Sequence, residues 1–303
     1  MATVTGKTLK YIQNSIEQAI RKVDFDRNFA MLDATNSSTT SPGMESLPGR
    51  AKSTIKIDTD LLDVLGAEIN TGTLTAGTKY LVTASAATFD GLWAVGRIFE
   101  ADGTETCTAQ EKVKPLGAKI TGKSMSMTYA GGSFAVTNFS YDIKYNELDA
   151  TTSGTATPNS EIVTGRAKVT SKIDVIMDSL TADKIVNAAP SAIALVVTLS
   201  SGLTITGNAI FYQMSISDPV SDIVKVSYNL EWQGIPVEVG VGYLTMATSQ
   251  TFQLIYATGT STNKAFTGSL TLIGKSLTCD VSNDTLITYD GVVNGAITPS
   301  VAN

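Results

Sequence analysis

Arg50, Lys52 and Lys56 recur at even spacing through GRAKSTIKID, with Asp58 closing the run. An extended chain with side-chain period two places all four on one face, and three cations on a strand face could touch a phosphate backbone. Arg166, Lys168, Lys172 and Asp174 repeat the arrangement in GRAKVTSKID. A wet or interface face of mixed charge accounts for the same spacing and is the reading preferred. Asp26 and Asp142, Asp33 and Asp149, and Glu45 and Glu161 are carboxylates of the kind that pair for general acid and base work. The chain has no histidine, which removes the commonest general base, the Ser-His and Cys-His nucleophile systems and the usual zinc sites. No phosphate-binding glycine loop occurs: GGSF at 131–134 and GVGYL at 240–244 read as hairpin glycines. Trp93 and Trp232 could stack a sugar, but Trp232 falls on the apolar side of its strand and reads as core. Cys107 and Cys279 lack a CxxC partner and read as reduced structural thiols, and neither a cofactor nor a metal is expected.

The two cation-bearing stretches belong to a larger duplication. LDATNSSTTSPGMESLPGRAKSTIKID (32–58) and LDATTSGTATPNSEIVTGRAKVTSKID (148–174) share sixteen of 27 positions without a gap, 116 residues apart. The register reaches back to Thr5-Gly6-Lys7 and Thr121-Gly122-Lys123, pairing Phe25 with Tyr141 and Phe29 with Tyr145. A gapless repeat of this density is a duplicated structural unit. A second, fainter register with an offset of 61 relates Thr206-Gly207 to Thr267-Gly268, Tyr228 to Tyr289 and Gly234 to Gly295. Together they divide the chain into one unit made of 1–65 and 238–303, a unit inserted within it at 119–237, and a small β-insertion at 66–118.

Short alternating runs punctuated by Gly, Thr and Ser predict antiparallel sheets with one apolar and one wet face. In IVKVSYNLEW, Val224, Val226, Tyr228, Leu230 and Trp232 alternate with polar residues. DLLDVLGAEI (60–69) and SLTADKIVNAA (179–189) predict one flanking helix per unit. The Ser/Thr/Pro/Gly-rich stretches before each GRAK strand predict long exposed hairpin loops. In the insertion, Asp102-Gly103 predicts a two-residue hairpin turn.

At 303 residues, 43% apolar and with a net charge of −6, the chain can build two cores and offers no generic polyanion-gripping surface. No segment approaches a membrane span, the longest apolar run being AIALVVTL at 193–200. MATVTGKTLK lacks the layout of a secretory signal, so synthesis in the cytoplasm is expected.

The early TGK, the Ser/Thr loop closed by LPGRAK or VTGRAK, the SxKIDxxxD strand and the ending ISDPVSDIVKVSYNLEWQG resemble the tail tube proteins of bacteriophages with long, non-contractile tails. The resemblance covers most of the chain outside 70–118. It implies mainly-β modules, each a sheet with a flanking helix, that join edge to edge into a barrel-shaped ring and stack into a tube through which DNA passes. It further implies that 36–48 and 152–164 are inter-ring stacking loops, with Ser37, Thr39, Pro42, Glu45, Ser153, Thr155, Pro158 and Glu161 as contacts. The strand face of Arg50, Lys52, Lys56, Asp58, Arg166, Lys168, Lys172 and Asp174 would be luminal or an interface. The implied partners are further copies of the chain, three per ring because each carries two modules, and other tail proteins (terminator, tape measure, hub), in the virion and with no membrane. Three other readings stay open from sequence: a tail hub or distal tail component, a carbohydrate-binding β-protein, and a carboxylate hydrolase.

Overall fold

The computed structural model describes residues 10–14, 16–18, 20–33, 46–64, 67–84, 98–107, 110–120, 122–151, 161–176, 191–200, 203–217, 224–239, 244, 246–256 and 263–302. The strands are, in chain order, β1 (Lys10–Gln13), β2 (Ile16–Gln18), β3 (Lys22–Asp33), β4 (Ser46–Asp60) and β5 (Leu62–Val64). Then come β6 (Gly72–Thr73), β7 (Lys79–Ala84), β8 (Ile98–Glu100), β9 (Thr106–Cys107) and β10 (Lys112–Lys119). The inserted unit holds β11 (Ser126–Tyr129), β12 (Gly132–Asp149), β13 (Ile162–Ile176), β14 (Ile193–Ser200), β15 (Leu203–Ser217), β16 (Lys225–Trp232) and β17 (Val237–Val239). The chain closes with β18 (Ser249–Tyr256), β19 (Asn263–Asp280) and β20 (Asn283–Ala302).

The fold is mainly β and antiparallel throughout. Strands β11, β14, β15, β16, β13 and β12 pair in that order, and β12 returns to β11, so six strands close into a barrel. Strands β1, β18, β19, β20, β4 and β3 run through the same circuit, with β2 supplying the return to β1. Thus the first and last segments of the chain build one barrel between them, and the second barrel is contiguous.

The backbone registers repeat residue by residue. Lys22↔Asp58, Phe25↔Ile55 and Phe29↔Ala51 between β3 and β4 become Asn138↔Asp174, Tyr141↔Ser171 and Tyr145↔Ala167 between β12 and β13. The bulge between Phe29 and Met31 recurs between Tyr145 and Glu147. Likewise Ser215↔Ser227 becomes Ser276↔Thr288, and the bulge at Phe211/Gln213 becomes the one at Leu272/Gly274. Duplicated side chains keep duplicated bonds. Ser227 donates to Asp174 at 2.5 Å, and its counterpart Thr288 donates to Asp58 at 2.7 Å. Gly234 and Gly295 both hold positive φ, at 92° and 71°, a conformation that only glycine adopts cheaply.

Among the described residues the first expected helix, 60–69, is not formed. Asp60 ends β4, Leu62–Val64 form β5 just after it, and Ile69 is bridged to Val113. Leu61 and Leu62 are both buried, Leu62 pairing with Lys119 of β10. A short apolar run is ambiguous between helix and buried strand, and pairing with β10 decides it here. The second expected helix, 179–189, lies outside the described residues. The apolar face of each sheet is covered by the far wall of its own barrel. In the inserted barrel Phe139, Tyr141, Val169, Ile173, Leu195, Val197, Ile205, Tyr228 and Leu230 fill the core. Trp232 is buried as expected and donates from Nε1 to Ser171 Oγ at 2.8 Å.

The insertion forms a four-stranded sheet (β5-β10-β7-β8) and a two-stranded one (β6-β9) around Leu74, Tyr80, Val82, Phe99 and Val113. Asp102 does cap a turn, accepting from the Thr104 amide at 2.8 Å, but β8 and β9 on either side of it pair elsewhere, so it makes no hairpin. Cys107 and Cys279 are free and buried.

Candidate functional site: an extended sheet and its open edges

The strands outrun their barrels. β12 pairs with β11 over its first residues and with β13 along most of its length, and from Asn138 to Lys144 its outer edge pairs with β19 of the other barrel. That joint makes one continuous sheet in the order β15-β16-β13-β12-β19-β20-β4-β3. Its halves correspond strand for strand.

The residues singled out from the sequence lie on this sheet. Lys52, Lys56 and Asp58 line one face of β4, alternating with buried Ala51, Ser53, Ile55 and Ile57. Arg166, Lys168, Lys172 and Asp174 line the matching face of β13, and Arg50 is half-buried at the start of the β4 row. The β12–β19 pairing sets Asp142 opposite Ser276, so the wet faces of both halves point to the same side. Acids from neighbouring strands interleave with the cations. Asp24 and Asp290 flank Lys56 in the pairing, and Lys22 sits beside Asp24 at 2.5 Å. Lys168 reaches Glu231 at 3.5 Å. A cationic phosphate track is therefore absent from the described face. Asp142, over the joint, is pushed up by burial and by the nearby Asp290 carboxylate.

Sequence reasoning did not find the joint. Beneath the wet face, Lys275 of β19 is buried and ion-paired with Glu238 of β17, while the Tyr141 hydroxyl of β12 donates to the other Glu238 oxygen at 2.8 Å. Burial pulls the Lys275 ammonium down, offset in part by Glu238, and pushes the Tyr141 phenol up. A buried charge pair of this kind needs every member to be satisfied. Lys52 to Glu147, Thr164 Oγ1 to Ala247 O at 3.0 Å, and the Ile162 amide to Asn294 Oδ1 at 3.0 Å stitch the two barrels further.

At the two ends of the sheet the equivalent edges have no such cover. Among the described residues β3 pairs only with β4, and the outer edge of β15 beyond Ala209 meets no strand. In the joint, Ile273, Lys275 and Leu277 are 8%, 4% and 0% exposed; their counterparts Tyr212, Met214 and Ile216 on β15 are 60%, 39% and 51% exposed. Phe29 and Met31 on β3 are exposed as well.

Of the expected stacking-loop residues, Ser37, Thr39, Pro42, Glu45, Ser153, Thr155 and Pro158 lie outside the described residues. The loops do join paired strands, ending at Asp33↔Ser46 and Asp149↔Ile162, so residues 46–48 and 162–164 belong to strands. Glu161 closes the second loop, its amide donating to Thr151 Oγ1 at 2.8 Å. Asp26 and Asp142 sit in corresponding places of separate barrels, which brings no pair of them together. Among the described residues no group of three or more Cys, Asp or Glu is placed to hold a metal ion. No family model matches the chain, and no curated protein matches it in sequence.

Proposed function

We propose that the chain is a self-assembling structural protein, a bacteriophage tail tube subunit whose double sheet is one section of a closed ring wall. The observation that carries this reading is a continuous antiparallel sheet left open at both ends among the described residues, with apolar side chains exposed along one of those edges and at the tip of the other. Open, apolar strand edges template further pairing, and closure into a barrel removes them. Because the two edges differ, contact between molecules is head to tail, which gives a ring when the rotation closes. Two equivalent modules per chain suit a trimeric ring with pseudo-sixfold symmetry. The balanced wet face suits a lumen, since cations unopposed by acids would bind phosphates and slow passing DNA. The resemblance in element order noted from the sequence points the same way, and implies residence in the virion beside other tail proteins.

Negative-stain microscopy of the purified protein tests the reading. Long hollow filaments whose rings average with threefold symmetry are expected. Single rings that never stack would favour a hub-like component, and a glycan-binding monomer would end the proposal.

A further inference from the structure

The joint inside the chain is a template for the contact between chains. We infer that β15 of one molecule pairs antiparallel with β3 of a second, in the register that β19 and β12 use internally, so that Ser215 stands opposite Asp26. This deepens the ring-assembly reading and rests on it.

The register follows from the duplication. β3 corresponds to β12 by a shift of 116, and β15 to β19 by a shift of 61. The observed pairs Ser140↔Thr278, Tyr141↔Leu277, Asp142↔Ser276, Ile143↔Lys275 and Lys144↔Gly274 then translate into Asp24↔Ser217, Phe25↔Ile216, Asp26↔Ser215, Arg27↔Met214 and Asn28↔Gln213. Faces match without adjustment. Phe25 and Ile216 fall on the inner side and Asp26 and Ser215 on the wet side, and a slip by one residue would reverse this.

The side chains support the same alignment. Tyr141, Lys275 and Glu238 form the buried network of the internal joint. Their counterparts are Phe25, Met214 and Pro299; the last follows from Ile205↔Glu238 in one barrel and Phe266↔Pro299 in the other. Hydroxyl, ammonium and carboxylate are all three replaced by apolar groups. Replacing one alone would strand a buried partner, whereas replacing the set leaves a contact that closes without burying an ion pair. Arg27 stands where Ile143 does, exposed, with its guanidinium 5.0 Å from the centre of the Phe29 ring. A second copy is the occupant because its other edge carries the matching half of the set.

The test introduces Asp26→Cys and Ser215→Cys together, both at exposed positions, and oxidises the assembled protein gently. Opposed strand residues lie within disulfide reach, and residues two positions further along the same face do not. Covalent multimers are expected, with Asp26→Cys plus Ser217→Cys as the register-shifted control giving none. Rings or filaments that cross-link only in the control, or in neither, overturn this register while leaving ring assembly standing. A protein that stays monomeric at every concentration overturns both. A second pair of variants reads the chemistry. Met214→Lys alone should raise the concentration needed for assembly by about tenfold or more, and adding Pro299→Glu, which rebuilds the ion pair of the internal network at the molecular boundary, should reverse most of that. Failure of the second substitution to restore assembly would separate residues 214 and 299 and overturn the inference.

Discussion

The joint between the barrels and the open ends of the sheet share one backbone plan, yet their chemistry differs. Inside the chain, two edges are held permanently together, and the interface carries a buried ion pair with a tyrosine donor. At the ends the same positions are methionine, phenylalanine and proline. A covalently enforced contact has a very high effective concentration and tolerates the desolvation of a charge pair. Edges that must find one another do better with apolar surface, which stabilises association without demanding geometry in advance. Lys275→Met would then not be a conservative change, although its twin is a methionine.

The contrast breaks most sharply if one substitution is made at twin positions. Leu277→Arg places a charge in a fully buried site of the joint and should cost more than about 4 kcal/mol, unfolding much of the chain. Ile216→Arg, at the exposed twin, should leave thermal unfolding of the monomer within about 1 kcal/mol of the parent while abolishing filaments. Calorimetry alongside sedimentation reads both, and equal destabilisation would remove the distinction between joint and edge.

A smaller effect is expected from Lys275→Met. It leaves Glu238 without its ammonium, and should lower stability by about 3 kcal/mol, as breaking a buried pair does. Lys275→Met with Glu238→Gln should recover most of the loss in denaturant unfolding. A double variant as weak as the single one would mean that packing, and not charge, sets the joint.

The smallest effect concerns pH. The native Asp142 carboxyl holds its proton to higher pH than in the unfolded chain, because of burial and Asp290. The native state therefore binds more protons in the window above the ordinary carboxylate value, and stability falls as pH rises through it, then levels once Asp142 is ionised in both states. Asp142→Asn should flatten that segment of the stability curve. A slope indifferent to Asp142→Asn would assign the titration elsewhere.

Much of this was legible in the residues. The repeat of LDAT and GRAK anticipated two equivalent hairpins, and alternation in KVSYNLEW placed Trp232 in the core. The fainter match of Tyr228 to Tyr289 reappears as corresponding pairings down to a shared bulge. DLLDVLGAEI misled because apolar periodicity over ten residues does not separate a helix from a strand whose partner, Lys112–Lys119, lies some fifty positions away. Asp102-Gly103 was legible as a turn and illegible as a connection, since strand partners are chosen by distant segments. The Lys275–Glu238–Tyr141 network left no local signal, because its members come from three strands of two barrels.

The sequence alone determined that a 27-residue unit is written twice and which residues face water along the GRAK strands and KVSYNLEW, because duplication and side-chain period are local and survive without coordinates. Only the tertiary structure decided that the sheets close into barrels, that β12 and β19 weld them, and that among the described residues the outer edges of β3 and β15 are left uncovered. Those outcomes depend on which strand edges come within hydrogen-bonding distance, a property of the folded chain as a whole.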